Sequence, residues 1–286
     1  MLELFAKRIR FTVTFTFIVS FWLFGGVVVQ AGDMTVHFIS VGHGDAVFIE
    51  LPDGSTMLVD GGMPEMGKRV TNYIEDMGYE AIDVVVLTHS HDDHAGGLIK
   101  VLSNFEIGEL WLCPYLENTE LVEEFERIKA VNRLAWKHLA SSQRFNFADV
   151  KIEILNPPLG SNLERLRGPN GASVVMKLTY ENSTLLLAAD VDDKTDQELV
   201  ELWGEKLKST VLKCAHHGSS HSNSAKFLNM ISPKISVVST GPSEWGYPDA
   251  STIARIEEYS DEFYRTDEAG DVVIELDGNT ARVLVP

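Results

Sequence analysis

From Thr35 onward, apolar and polar positions alternate in short blocks. "MTVHFISVG", "AVFIEL" and "TMLVDGG" carry the two-residue period of half-buried strands, and the turn Pro52-Asp53-Gly54-Ser55 between the last two predicts a hairpin. "KRVTNYIEDMGY" predicts an amphipathic helix stopped at Gly78. "IDVVVLT" is apolar at almost every position and predicts a buried strand, followed by "AGGLIKVLSNF" as a helix that Asp92 or Asp93 is placed to cap. "GELWLCP" predicts a strand, "ENTELVEEFERIKAVNRLAWKHLASS" one long charged helix, and "VKIEILNPP" a strand ending in a proline turn.

A second block repeats the scheme. "SVVMKLTYEN" and "STLLLAADV" predict strands, followed by a helix ("KTDQELVELWG"), a strand ("STVLKCAHHG"), a helix ("SAKFLNMI") and a strand ("KISVVST"). The chain ends in a helix, "ASTIARIEEY", and a hairpin, "GDVVIELDGNTARVLV". Two strand-rich blocks interleaved with helices predict an α/β fold of two packed sheets with helices outside, in one domain.

The first thirty residues differ in kind. Lys7, Arg8 and Arg10 precede an uncharged run, residues 11–32, and Val29-Gln30-Ala31 fits a small-residue cleavage site. Residues 1–31 are therefore expected to be a signal peptide or a membrane anchor. Either would leave residues 32–286 extracytoplasmic, secreted, periplasmic or held at the membrane through residues 11–32. Two cysteines, Cys113 and Cys214, permit one bridge but are expected as buried free thiols. The net charge of −18 argues against non-specific binding to duplex nucleic acid, although bound cations can supply local positive charge.

The chemistry concentrates behind "IDVVVLT". In "THSHDDHAGG", His89, His91, Asp93 and His94 fall within six positions of a chain with nine histidines. A polar loop that happens to be rich in histidine is the alternative. Imidazole and carboxylate are zinc ligands, and four donors are too many for one tetrahedral ion that also keeps a water. Two ions are expected, His89 and His91 on one and Asp93 and His94 on the other. Asp190 ends the strand "TLLLAAD" and is placed to bridge. His216 and His217 end "LKCAHHG" and add imidazoles.

These residues, with "VGHGDAVFIE", "GSTMLVDGG", "LLAADV", "HHGSSHS", "GYPDASTIARI" and "YRTDEAGDVVIELDG", resemble the metallo-β-lactamase superfamily, and in detail the hydrolase domain of ComEC-type competence proteins. The resemblance runs from about Thr35 to the C-terminus. It implies an αββα sandwich with two divalent ions, Zn or Mn, at one edge. The implied ligands are His89, His91, Asp93, His94, Asp190 and His217, with His216 and Tyr247 contacting the anionic transition state and Asp93 holding the nucleophilic hydroxide. His43 and Asn170 are implied as substrate contacts.

Departures from the family's pattern are Asn170 where many members carry a further histidine, Ser40 and His43 where relatives commonly show Asp and Gln, and Tyr247 where they commonly show His. His138 is read on an outer helix, away from the site. Asp60 is expected to orient ligands or to bind metal itself, His37 to pack, and Trp245, Ser219 and His221 to line the cleft or serve local turns. The implied reaction is hydrolysis of a phosphodiester, with extracellular nucleic acid as one substrate. A small-substrate esterase related to the phosphorylcholine esterases and a metal-free binding module of a membrane assembly are the alternatives. No stable protein partner is inferred.

Overall fold

The computed structural model describes residues 32–117, 120–147, 149–161 and 163–285. The expected signal or anchor segment lies outside the described residues, and among them no helix is long and apolar enough to cross a membrane.

The chain first lays down β1 (Met34–Phe38), β2 (Val47–Glu50), β3 (Thr56–Val59), β4 (Ala81–Leu87), β5 (Glu106–Leu112) and β6 (Ala135–His138). It crosses to a second layer with β7 (Arg144–Phe147), β8 (Val150–Asn156), β9 (Val175–Tyr180), β10 (Ser183–Leu187), β11 (Val211–Lys213), β12 (Ile235–Val238) and β13 (Glu262–Arg265). It then returns with β14 (Val272–Leu276) and β15 (Ala281–Val285). The eight-stranded sheet has the order β15-β14-β1-β2-β3-β4-β5-β6, and the seven-stranded sheet β13-β12-β11-β10-β9-β8-β7.

The near-continuous apolar strands are explained by burial on both faces. On β4, Val84 and Val86 face the inter-sheet core with Phe38, Trp111, Ile152, Met176 and Leu185. Val85 and Leu87 face the opposite way, onto a helical layer that supplies Val70, Ile74, Leu98, Val101 and Phe125. The second sheet repeats this with Leu186 and Leu212 against Leu199, Phe227, Leu228 and Ile256. The period of two sends alternate residues to the two layers, and the result is the expected αββα sandwich.

Some elements differ from expectation. The long charged helix ends at Asn132, and "AWKH" forms β6, paired in parallel with β5. His138 thus sits on an edge strand rather than a helix. The aromatic and β-prone "AWKH" finds an open sheet edge there, a non-local gain that helical periodicity does not register. The short strands β7 and β13 also went unread. Asp92 and Asp93 do not cap through their side chains: the helix Asp92–Ala95 starts after His91, the helix Leu98–Asn104 after Gly97, and neither has a side-chain cap. The Asp93 carboxylate turns instead toward histidines. Cys113 and Cys214 are buried and unbridged, as expected, and burial pushes both thiols up to about 12.

The break between those two helices is a packing requirement. A Cβ on Gly97 would lie 1.9 Å from the Gly61 carbonyl oxygen, so only glycine lets the loop after β3 close on the loop after β4. Gly97→Ala is expected to destabilise the protein by about 1–3 kcal/mol through overpacking, read by urea denaturation, and to loosen the metal site by moving His94 from Asp60. An unchanged midpoint would show that the two loops separate freely.

Candidate metal centre

The tips of adjacent parallel strands open onto one edge of the sandwich, which is where loops from different strands can converge. β3 and β4 run parallel in one sheet, β10, β11 and β12 in the other. Asp60 follows β3, His89 to His94 follow β4, Asp190 follows β10, and His216 and His217 follow β11. The loop between β1 and β2 adds His43 and Asp45. It lies close over Asp93: Asp45 N–H donates to the Asp93 carbonyl at 3.1 Å, and a Cβ on Gly44 would come within 2.3 Å of that oxygen. Asp60, Ala189, His216 and His217 all hold left-handed φ between 48° and 60°. Such backbone costs roughly 1–2 kcal/mol per residue for L-amino acids, and its concentration here marks a site maintained against local preference.

Four side chains converge most tightly. One donor atom each from Asp93, His94, Asp190 and His217 lies within 4.8 Å of all the others. His217 Nε2 is 3.2 Å from Asp93 Oδ2 and 3.4 Å from Asp190 Oδ2, and His94 Nε2 is 3.3 Å from Asp190 Oδ1. Zinc bonds of about 2.0–2.1 Å in tetrahedral geometry place ligand atoms about 3.3 Å apart, so the spacing suits a divalent ion. Asp190 Oδ1 is buried without a hydrogen-bond partner, an acceptor that a cation would satisfy.

A second group lies beside the first. His89 Nε2 is 3.2 Å from His91 Nδ1 and 3.9 Å from Asp190 Oδ2, which leaves Asp190 between the groups. His216 Nε2 is 3.7 Å from Asp190 Oδ2 and 3.4 Å from Asn170 Nδ2. The geometry therefore gathers all six expected ligands. It separates the neighbouring histidines, with His217 among the tight four and His216 on the side of Asn170.

The far nitrogens explain how the rings are held. His94 Nδ1 is 2.7 Å from Asp60 Oδ2, and Asp60 also accepts from Thr88 N–H at 2.9 Å and the Thr88 hydroxyl at 2.6 Å. His217 Nδ1 donates to the Ser239 carbonyl at 2.9 Å, and Thr88 Oγ1 lies 3.1 Å from His89 Nδ1. Each contact leaves the other ring nitrogen facing the centre, the arrangement that orients histidine ligands.

Protonation follows the same geometry. Burial opposes charge on His217, but Asp190 foremost and then Asp45 and Asp93 outweigh it, raising its pKa to about 10. Burial likewise opposes charge on His94, and Asp190, Asp93 and Asp60 carry it well above the ordinary value. Burial would raise Asp93 and Asp190, yet the neighbouring histidines hold both below the usual carboxylate range. Burial, then His217, lowers His43 to about 4, so it is neutral at pH 7.

The centre floors a cleft of about 580 Å3, within the range of small-molecule sites. His43, His91, Asp93, Asn170, His216 and Tyr247 line it, with Asp92, Glu117 and Trp245 also in its walls. The Tyr247 ring lies 5.2 Å from His216 and 5.8 Å from His43, and Trp245 is 73% exposed. Among the described residues, no lysine or arginine lines this cleft. His138 lies on the edge strand, His37 packs between Tyr73 and Glu50, and neither lines the cleft.

Two supporting residues escaped the sequence reading. Asn223 is buried, and its amide accepts from Ala215 N–H and donates to Ala215 C=O, both at 2.8 Å, pinning the residue before His216. No local pattern marks it. Lys213 is buried at the end of β11, paired with Asp45. Its signal was visible as a lysine inside the apolar run "STVLKCA". Burial opposes its charge, but Asp45 and then Asp190 raise its pKa above the ordinary lysine value.

Residues 39–241 match the Metallo-beta-lactamase superfamily. The chain is 26% identical over 243 residues to "Competence protein ComA" of Neisseria gonorrhoeae, covering 85% of this chain and 32% of that protein. It is 21% identical over 255 residues to "ComE operon protein 3" of Bacillus subtilis, covering 83% of this chain and 32% of that protein. The chain thus spans about a third of the length of either relative. The crystal structure of the metallo-beta-lactamase fold protein YhfI from Bacillus subtilis superposes with a TM-score of 0.54 at 15% identity, covering 85% of this chain and 99% of that one, and so agrees in fold. The matched family, the competence-protein relatives and the sandwich with its histidine and aspartate cluster converge: the chain belongs to the metallo-beta-lactamase superfamily and resembles its ComEC-type branch.

Proposed function

We propose that this chain is an extracytoplasmic metal-dependent phosphodiesterase. The observation that carries the reading is the convergence of Asp93, His94, Asp190 and His217 at a cleft that Asp93 and Asp190 line, with His89 and His91 beside them. Divalent ions held by these residues would supply Lewis acidity and make a water acidic enough to ionise near neutral pH. Asp93, the most exposed carboxylate of the tight group, faces the cleft and would orient the attacking water and accept its proton. Asp190 would hold the two ligand groups in register. His216 and Tyr247, side by side in the cleft wall, would bind the phosphoryl oxygens as negative charge builds on them. His43, neutral at pH 7, would donate a hydrogen bond to substrate without adding charge. Asn170 faces His216 and would fix its ring.

Kinship with competence proteins favours nucleic acid as the substrate. The acid surface and a cleft without lysine or arginine favour a small phosphodiester, because tracking a phosphate backbone uses basic side chains. The test is elemental analysis of the full-length chain purified without chelator, combined with hydrolysis of bis-(p-nitrophenyl) phosphate in Zn or Mn. The control is the Asp93→Ala, His94→Ala double variant. About two ions per chain and turnover lost in the control are expected. Single-stranded DNA and a choline phosphodiester, compared next, separate the two substrate readings. No metal and no turnover after reconstitution would leave a binding module.

A further inference from the structure

Lys213 is the only fully buried lysine or arginine among the described residues, and no ligand role accounts for it. Its ammonium pairs with the Asp45 carboxylate, itself buried. Asp45 in turn lies 3.5 Å from His217 Nδ1 and 3.8 Å from His94 Nδ1. Lys213, Asp45 and Asp60 also front a single small cavity otherwise walled largely by Val47, Val59, Leu187 and Ala189. An apolar wall keeps water from screening the ammonium, so its charge is felt at the centre.

Four carboxylates surround the histidines: Asp45, Asp60, Asp93 and Asp190. Two divalent ions held there would offset this negative charge, and Lys213 adds one further positive charge through Asp45 beside His217 and His94. We propose that Lys213 sets the net charge of this centre and thereby its selectivity for a substrate with a single negative charge, a phosphodiester, over the dianion of a phosphomonoester. The proposal rests on the dinuclear reading above and adds to it a specificity determinant outside the cleft. Charge complementarity of this kind governs which partner is accepted.

The test compares Lys213→Met, Asp45→Asn and the double variant with the wild-type full chain. Metal content is read by elemental analysis, and binding of dimethyl phosphate and of methyl phosphate dianion by calorimetry. Lys213→Met removes one positive charge from beside the centre and is expected to weaken dimethyl phosphate binding about tenfold. Asp45→Asn removes one negative charge from beside the centre and is expected to shift preference toward the methyl phosphate dianion by about tenfold. The double variant removes one charge of each sign and is expected to return both affinities to within about twofold of wild type. A purely structural ion pair predicts no such opposite shifts. It would show as equal losses for both anions, or as a double variant that stays impaired, and either result overturns the proposal. If Lys213→Met fails to fold, Asp45→Asn and the double variant carry the same test. Wild-type protein that takes up fewer than two ions would overturn the dinuclear reading and this proposal with it, whereas two ions with unshifted anion preference would overturn this proposal alone.

Discussion

Asp190→Ala is expected to abolish turnover of bis-(p-nitrophenyl) phosphate by a factor on the order of 10³ or more and to leave at most one ion per chain. The reason is its place among the donors: His94 approaches its Oδ1, and His217, His216 and His89 approach its Oδ2. Among the described residues no other carboxylate lies within 4.0 Å of all four. Lewis-acid stabilisation is worth several kcal/mol, and about 4 kcal/mol corresponds to about 10³ in rate. Losing Asp190 also removes the largest favourable charge beside the buried His217, which lowers that ring's affinity for a proton or an ion alike. Kinetics and elemental analysis on the same sample decide the matter. Two ions retained with turnover intact would mean that Asp190 only packs.

The second large effect concerns pH. Without metal, the positive charge that balances Asp93 and Asp190 is carried by protons on His94 and His217, both with raised pKa. Imidazole must be neutral to bind a metal, so loading the protein at pH 7 expels those protons. Apparent affinity should therefore fall by up to about 100-fold for each pH unit lowered. Calorimetry in buffers of differing ionisation enthalpy should count about two protons released. Zero protons would show that both rings are already neutral.

The stability of chelator-stripped protein has the opposite slope. A raised pKa means the folded state binds the proton more tightly, so the His217 contribution is complete below about pH 6.5 and fades as pH rises toward its folded value of about 10. His43, lowered to about 4, contributes above about pH 6.5, and that part fades as pH falls through its folded value. Stripped protein should thus melt highest near pH 6, while excess zinc should move the maximum upward as binding strengthens. Melting curves with and without zinc at pH 6, 7.5 and 9 check both signs.

Among what the amino-acid order determined alone is the sandwich. Alternating and continuous apolar runs respond to burial on one or both sheet faces, a local property of each strand, and Val84 to Leu87 show it residue by residue. The His89 to His94 cluster was legible for a similar reason: its donors are neighbours in the chain, and strand ends placed Asp190 and His217 near it. What depended on distant partners was not legible. Strand β6 forms only because β5 offers an edge, and Asp93 forgoes a helix cap because His217 and His43 wait across the cleft. Tertiary structure gave the neighbouring histidines their partners: both hold the same left-handed φ, but His217 donates to the Ser239 carbonyl and joins Asp93 and His94, while His216 turns to Asn170. It alone brought Lys213 to Asp45, residues from opposite sheets, because the charge of a buried group is set by whatever the fold packs against it rather than by its neighbours in the chain.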